Sequence, residues 1–264
     1  MKTRSSPRPP TAQAVWLLFW ALVGCPHGSG GPQAQTYQAT VATAYGADLM
    51  ASATELEVVR SPGVWTVRTV RTSGDWVTGG VDGAFDSATP RAADPWPLTL
   101  HHAIAGASLR ISVVHERPSE VLEPESWVTR ARQRAYKTEL PAAALQSAEQ
   151  LLVPDNQIRD LVRFFPGVPE ADWTRLQRIS GVEMQVQQAC TQTGRSWVCS
   201  GELRSVDEAG PQVLDGQFTS ELTFDAQGLV RLEERYDGTL VVPGPDGVSA
   251  SDRPIGGRRQ VVRQ

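Results

Sequence analysis

The sequence lacks the features that would assign it to several common classes. Its 25 Lys and Arg residues are outnumbered by 29 Asp and Glu residues, so it has no basic excess of the kind that general nucleic-acid-binding proteins carry. No apolar run reaches the roughly 18 residues that a permanent membrane-spanning helix needs. The composition is 40% hydrophobic and 20% charged, with 23 Gly and 19 Pro, which excludes collagen-like, coiled-coil and wholly disordered chains.

Motifs of the common enzyme classes are missing as well. The sequence has no HExxH, GxSxG, P-loop or GxGxxG pattern. His101 and His102 are adjacent, so on a strand they face opposite sides and cannot jointly bind one metal. We therefore expect no enzymatic activity, no cofactor and no metal. An envelope hydrolase is the third-ranked hypothesis, and it requires His101, His102 or His115 beside a nucleophile or metal in a cleft.

The amino terminus has the pattern of an export signal. Three basic residues precede an uninterrupted apolar run of ten residues, Ala14–Val23, which is typical of a signal-peptide core. The run ends in Leu22-Val23-Gly24-Cys25, which resembles the lipobox of bacterial lipoproteins. That resemblance implies a signal peptide at residues 1–24 and a diacylglycerol on the sulfur of Cys25. The alternative is an ordinary secretory signal with a chance cysteine.

The lipobox also implies where the protein resides. A diacylglyceryl group has the two chains that stable membrane anchoring needs. Pro26 follows Cys25, where the inner-membrane retention signal of enterobacterial lipoproteins has Asp. We therefore expect a lipid-anchored protein of the cell envelope at the outer membrane, with the membrane as its partner and no nucleic acid. Residues 25–36 are rich in Gly, Ser and Pro and predict a flexible tether.

The two remaining cysteines predict a disulfide. Cys190 and Cys199 lie on strand-like segments that flank Thr191–Ser196, a segment of turn-forming composition. An exported protein resides in a compartment that permits disulfides. The C-x8-C spacing matches neither a CxxC redox motif nor a zinc site, so we favour a structural cross-strand bridge.

The pattern over 37–264 predicts a single two-lobed domain of the α+β class, mainly β. We expect antiparallel meander sheets in two lobes, with one or two short central helices. The helical period begins behind Pro141 and again at Asp155, which we expect to cap the second helix. Early strands are predicted at Tyr37–Ala44, Glu55–Arg60, Val64–Thr72, Leu98–Ile104 and Ser108–His115, with a long loop over Ser73–Pro97 that includes a short strand about Trp76.

The carboxyl-terminal third has the clearest alternation of apolar and polar residues. It predicts four successive antiparallel strands, which begin near Val182, Trp197, Leu214 and Leu229. We expect Pro243–Gly257 to be a loop and Arg259–Arg263 to add a short edge strand.

A second resemblance covers about the last hundred residues. Phe165-Pro166-Gly167-Val168-Pro169, followed by Trp173 and by Phe224–Val230, is similar to segments of uncharacterised β-rich bacterial lipoproteins. That resemblance implies no particular activity. The predicted layout is also similar to the curved sheet with covering helices of periplasmic lipoprotein and lipid carriers, an analogy of fold alone.

Two groups of residues are candidates for ligand binding. Arg130, Arg132, Arg134 and Lys137 form a basic patch that suits phosphate or carboxylate groups if Thr129–Lys137 is a strand. In a helix they spread around the surface, and pairing with nearby glutamates is the alternative we favour. Trp76 and Trp96 lie in the predicted loop, where they line a ligand mouth or cover the core. The glutamate pair Glu233 and Glu234 is expected at the surface.

These observations favour a non-enzymatic binding or assembly module. A concave β surface under the central helices suits an apolar or lipid ligand, and this is the leading hypothesis. A protein-interaction scaffold of the envelope is the alternative, and it requires an exposed apolar patch or edge strand that binds a protein partner.

Overall fold

The computed structural model describes residues 33–89, 105–137, 153–179, 182–206, 211–243 and 250–264. Ala34–Gln264 belong to one compact unit. The first group of elements is β1 (Ala34–Tyr45), β2 (Asp48–Ser61), β3 (Val64–Thr78), β4 (Val81–Asp86), β5 (Ser108–Val114) and β6 (Arg117–Leu122). Two helices follow, α1 (Pro124–Lys137) and α2 (Pro154–Phe164). The last group is β7 (Asp172–Ile179), β8 (Val182–Thr193), β9 (Ser196–Ser205), β10 (Gln212–Asp225), β11 (Gly228–Pro243) and β12 (Ala250–Arg263).

All the described strands belong to one open antiparallel sheet. Its order is β6-β5-β3-β2-β1-β12-β11-β10-β9-β8-β7, and β4 pairs with the far half of β3. The strands before the helices form a first meander, β1–β6, and those after them form a second meander, β7–β12. The two meanders meet where β1 pairs with β12. The predicted class, mainly-β α+β with antiparallel meanders and short central helices, is confirmed, and the two predicted lobes are joined by this pairing.

The four-strand pattern of the second meander is confirmed in detail. Met184 and Val186 on β8 are fully buried, whereas the neighbouring Glu183 and Gln185 are exposed. Cys190 and Cys199 are directly opposite each other on β8 and β9, with their Cα atoms 4.1 Å apart, and they form the predicted disulfide.

The prediction for the carboxyl terminus was wrong in part: Arg259–Arg263 do lie in a strand, but that strand is neither short nor at an edge of the sheet. A loop was expected over Pro243–Gly257, but β12 begins at Ala250 and runs to Arg263 between β1 and β11. Proline and glycine disfavour strands, and Pro254, Gly256 and Gly257 made this segment resemble a loop. Pairing on both edges overrides that preference. Gly257 is also required, since a Cβ there would lie 2.6 Å from the ring of Tyr236.

Three further predictions need correction. β3 extends to Thr78, so the short strand predicted about Trp76 is the end of a long strand and not a separate strand within a loop. Strands β6 and β7, the two edges of the sheet, were not predicted. Helix α2 has Pro154 in its first turn, and its N-cap residue is Val153 rather than Asp155. The strand expected at Leu98–Ile104 and the helix expected from Pro141 lie outside the described residues.

One hydrophobic cluster fixes the end of α2 on the sheet. Phe165, which follows the helix, is 1% exposed and meets the rings of Tyr37 and Trp65 edge to face, with centroids 5.1 and 5.4 Å away. Such aromatic pairs contribute about 0.5–1.5 kcal/mol each beyond the area that they bury. Leu161 of α2 and Trp127 of α1 belong to the same cluster. A second cluster fills the far end of the second meander around Met184, Phe218 and Tyr236.

Candidate functional site

The two edges of the sheet border a cleft of about 820 Å³, a volume typical of small-molecule sites. We call it the edge cleft. One side is β6 with the turn before it, the other is β7, and α2 with the segment that follows it forms a third wall. The lining residues are Val114, His115, Arg117, Pro118, Ser119, Asn156, Ile158, Arg159, Asp160, Val162, Arg163, Pro166, Gly167, Val168, Glu170, Trp173, Arg175, Leu176, Gln177 and Glu183.

A close backbone contact holds the edges beside each other. The Val168 N–H donates to the carbonyl oxygen of His115 at 3.4 Å, which ties the segment before β7 to the turn before β6. Gly167 has a φ of +94°, and a Cβ there would lie 3.1 Å from the Cβ of Arg117. Any larger residue at this position is therefore both strained and crowded. Pro166, Gly167 and Val168, the central residues of the segment Phe165–Pro169, thus line one wall of the edge cleft.

The lining of the edge cleft combines apolar side chains with an excess of arginine. Its four arginines are Arg117, Arg159, Arg163 and Arg175, and its three acids are Asp160, Glu170 and Glu183. Arg163 and Asp160 are close enough to pair, at 3.5 Å. Ile158, Val162 and Leu176 supply apolar surface. The lining therefore suits a ligand that has both an apolar part and a negative charge.

A buried ion cluster lies beneath Arg175. It consists of Arg175, Glu234 and Arg259, and the carboxylate side chain of Glu234 is 1% exposed. Arg175 donates to one carboxylate oxygen of Glu234, and Arg259 Nη1 donates to the other at 2.6 Å. Arg259 Nη1 also donates to the carbonyl oxygen of Arg163 at 2.9 Å. Burial lowers the pKa of Arg259 to about 10, with Glu234 opposing that shift. The cluster combines two guanidinium groups with one carboxylate.

The guanidinium of Arg175 is held between two aromatic rings. Its central carbon lies 4.4 Å from the ring centroid of Trp173 and 5.1 Å from that of Phe218. Such cation–π contacts favour a fixed guanidinium plane. Trp173 belongs to the edge strand β7 and Phe218 to β10, three strands away. The second meander must therefore curl over Arg175, consistent with the twist of antiparallel sheets.

Two side chains of β7 have buried polar atoms without a partner. Arg175 Nε and both amide atoms of Gln177 make no hydrogen bond to any described residue. Both residues are nevertheless buried, with only 5% of their surface exposed. By contrast, Gln188 on β8 donates to Ser220 Oγ at 3.2 Å. Gln177 also borders a small cavity of about 20 Å³ beside Glu234 and Arg259, roughly the room that one water needs.

The structure does not place the predicted binding residues in the edge cleft. Arg130 lies on α1 and donates to Ser126 Oγ at 2.6 Å and to the Ser108 carbonyl at 3.3 Å. Arg132, Arg134 and Lys137 also lie on α1. Thr129–Lys137 is therefore helical, as in the alternative that we favoured, and not a strand. Trp76 is half-buried in β3, against Gly83 of β4. Trp96, His101 and His102 lie outside the described residues.

Two expectations about titratable residues have a clear outcome. Glu234 was expected at the surface, but it lies inside the second meander because it occupies the inward-facing position of β11 opposite Arg259. His115 does line the edge cleft. Among the described residues, however, no hydrogen bond joins its side chain to a serine or a carboxylate, as nucleophilic catalysis of the Ser-His type requires.

The residues of the buried ion cluster were missed in the sequence. On β7, Trp173, Arg175, Gln177 and Ile179 alternate with Thr174 and Leu176. Apolar and polar residues occur in both sets, so alternation does not show which face is buried. The available signal was the unusual pairing of Trp and Arg at i and i+2, since residues at that spacing lie on one face of a strand.

Two kinds of feature are absent from the described ranges, a metal-binding cluster and a membrane-spanning helix. Within the described ranges, no group of three or more His, Cys, Asp or Glu residues is placed to hold a metal ion. No helix in the same ranges is both long enough and apolar enough to cross a bilayer.

Comparisons with known proteins give a likeness of fold. No protein-family model and no curated protein sequence matches the chain. A solved structure of lipovitellin, which concerns lipid–protein interactions in that protein, does match the chain. The TM-score is 0.50 at 8% identity, over 89% of this chain and 25% of the lipovitellin chain. This chain therefore spans about a quarter of its neighbour, and the likeness concerns architecture.

Proposed function

We propose that this protein is a lipid-anchored lipoprotein of the bacterial cell envelope whose body binds an apolar or lipid ligand without enzymatic chemistry. The observation that supports this most is the edge cleft. It has the volume of a ligand site, and its apolar side chains Ile158, Val162 and Leu176 face a space that the open edges of the sheet leave accessible.

Two independent observations agree with this function. The lipobox at Leu22–Cys25 implies an anchor, which would hold the body beside a membrane that supplies lipid, and Pro26 favours the outer membrane. The fold is similar to that of lipovitellin, whose structure concerns lipid–protein interactions. At 8% identity the likeness indicates only that this architecture is compatible with lipid.

The first test asks whether lipid accompanies the purified body. Ala34–Gln264 contain every described element and both hydrophobic clusters, so this fragment can be exported to the periplasm and purified without detergent. Native mass spectrometry and solvent extraction are expected to show a stoichiometric lipid. A body with the mass of the polypeptide alone, before and after incubation with envelope lipid, would contradict the proposal.

A matched pair of variants locates the ligand. Leu176 lines the edge cleft and is 54% exposed, whereas Leu214 on β10 is 51% exposed and lies outside the cleft. Leu176→Asp places a charge in the cleft and is expected to remove the lipid. Leu214→Asp is expected to retain it, because neither substitution disturbs the core. Equal retention by the two variants would exclude the edge cleft as the lipid site.

A protein-interaction scaffold is the second candidate, and one surface feature favours it. A shallow apolar groove of about 480 Å³ lies at the middle of β12 and the adjoining ends of β1, β2 and β3, and Leu49 and Met50 there are about half exposed. Exposed apolar patches often bind proteins. A photo-crosslinking residue at position 49 would capture an envelope protein if this candidate is correct, and one at the equally exposed Val81 would not.

A further inference from the structure

We infer that the edge cleft contains a subsite for an oxyanion, the carboxylate or phosphate headgroup of a lipid, formed by Arg175 and Gln177. This inference rests on the proposed lipid-binding function and specifies the chemistry of the ligand.

The unpartnered hydrogen-bonding groups indicate where such a headgroup binds. Arg175 and Gln177 are i and i+2 on β7 and both line the edge cleft, so they share one face of the strand. Arg175 Nε and the Gln177 amide are buried there without a partner among the described residues. Leaving buried polar groups without a partner is costly. A bound oxyanion would accept hydrogen bonds from the Nε–H of Arg175 and the amide nitrogen of Gln177, which would satisfy both donors.

The charge of the site favours an anion. Among the described residues, Glu234 is the one carboxylate that contacts Arg175 and Arg259, so this buried ion cluster retains an excess positive charge. Burying a cation without a counter-ion costs free energy. An anion at Arg175 Nε would complete the neutralisation, since carboxylate and phosphate match the fork of an arginine.

The geometry of Arg175 suits recognition rather than general attraction. Its guanidinium is fixed between Trp173 and Phe218 and is anchored through Nη2 to Glu234. The side chain is therefore preorganised, and little conformational entropy is lost when a ligand binds. The apolar chain of the lipid would lie along Ile158 and Val162 of α2, toward the open side of the edge cleft.

Three probes separate the headgroup from the chain. Isothermal titration of the delipidated body with dodecanoate, dodecanol and inorganic phosphate compares the same chain with and without a charge, and a charge without a chain. Charged hydrogen bonds are individually strong, so dodecanoate is expected to bind at least about tenfold tighter than dodecanol. Phosphate alone is expected to bind more weakly than dodecanoate, because it lacks the chain.

Substitutions test the two residues by a readout that a purely structural role would not give. Gln177→Met replaces an unpartnered amide with an apolar side chain of similar shape. It is expected to raise the melting temperature of the free body while lowering dodecanoate affinity at least about fivefold. Gln188→Met is the matched control outside the edge cleft. It breaks the bond to Ser220, so it is expected to lower the melting temperature and leave the dodecanoate-to-dodecanol ratio unchanged.

Arg175→Lys supplies a second variant that keeps a positive charge beside Glu234. Lysine lacks the planar fork of N–H donors that arginine presents. The ratio of dodecanoate affinity to dodecanol affinity is therefore expected to fall, while dodecanol still binds. Folding of both variants is checked by circular dichroism.

The outcomes distinguish failure of the subsite from failure of the proposed function. Equal affinity for dodecanoate and dodecanol in the unsubstituted body would overturn the oxyanion subsite and leave lipid binding intact. Binding of neither amphiphile would overturn both. Phosphate as tight as dodecanoate would overturn the lipid headgroup and assign the site to a free oxyanion. The Gln188→Met variant gives a further check. If it lowers the dodecanoate-to-dodecanol affinity ratio as much as Gln177→Met does, the assignment of the oxyanion subsite to Gln177 is overturned.

Discussion

The two meanders differ sharply in what they bury. The interior of the first is apolar, with Tyr37, Leu56, Val58 and Trp65 at its centre. The second holds six of the eight buried polar or charged residues in the described ranges: Arg175, Gln177, Gln188, Ser220, Glu234 and Arg259. Both halves belong to one sheet, so the requirements of sheet formation do not explain the difference.

Each meander also has an arginine packed against a tryptophan, but the charge of the arginine is neutralised differently in the two cases. Arg60 of the first meander lies 4.1 Å from the ring of Trp65 and pairs with Glu116 at the rim, one cation with one anion. Arg175 of the second meander shares the single Glu234 with Arg259. Buried polar networks seldom stabilise a protein more than apolar packing does. A surplus charge that lines a cleft is therefore better explained by a ligand than by stability.

The largest effect is expected from removing the central anion of the buried ion cluster. Glu234→Gln leaves two buried guanidiniums without a counter-ion, which should lower the free energy of unfolding by about 3–5 kcal/mol. Glu116→Gln breaks the partly exposed pair of the first meander and should cost about 0–1 kcal/mol. Urea denaturation of both variants measures the difference. Equal losses would show that the two arginine pairs are energetically alike.

A smaller effect is expected from the disulfide, which lies in the second meander beside the polar interior. Cys199 is opposite Ser220, the partner of Gln188. Replacing both Cys190 and Cys199 with Ala removes a loop closure of about ten residues and should cost roughly 2–3 kcal/mol. Dithiothreitol should lower the stability of the unsubstituted protein by a similar amount and leave the double variant unchanged. A double variant that still responds to the reductant would contradict this.

The same contrast explains how far the sequence could be interpreted. Regular alternation predicted β8 to β11 and the Cys190–Cys199 bridge, because apolar residues predominate on the buried face of those strands. β7 was missed because its inward face combines Trp173 and Ile179 with Arg175 and Gln177. The second meander is thus hardest to predict where it departs from an apolar interior, and that departure forms the candidate site. Pairing partners distant in sequence, such as Glu234 with Arg175, cannot be inferred from local periodicity.

The smallest effect is expected from Glu233, the neighbour of Glu234 on the opposite face of β11. Its carboxylate accepts hydrogen bonds from Arg231, Arg235 and Arg258 at 2.8–2.9 Å, and these bonds, from Arg235 first, lower its pKa to about 2. The three arginine side chains are more than half exposed, so solvent screens the cluster. Glu233→Gln should therefore cost about 0–1 kcal/mol at neutral pH, and less in high salt.

The pH dependence of unfolding separates Glu233 from its neighbour. A carboxyl group whose pKa is lowered by folding stabilises the protein above its unfolded pKa, and that contribution disappears as the pH falls toward the folded pKa. The free energy of unfolding should therefore fall between pH 4.5 and about 2, and Glu233→Gln should flatten that fall. Its small loss at neutral pH should vanish in 1 M salt, whereas the loss in Glu234→Gln should persist, because buried charges are screened far less. A salt-sensitive Glu234→Gln would mean that water reaches the interior of the second meander, and the case for a preorganised anion subsite there would fail with it.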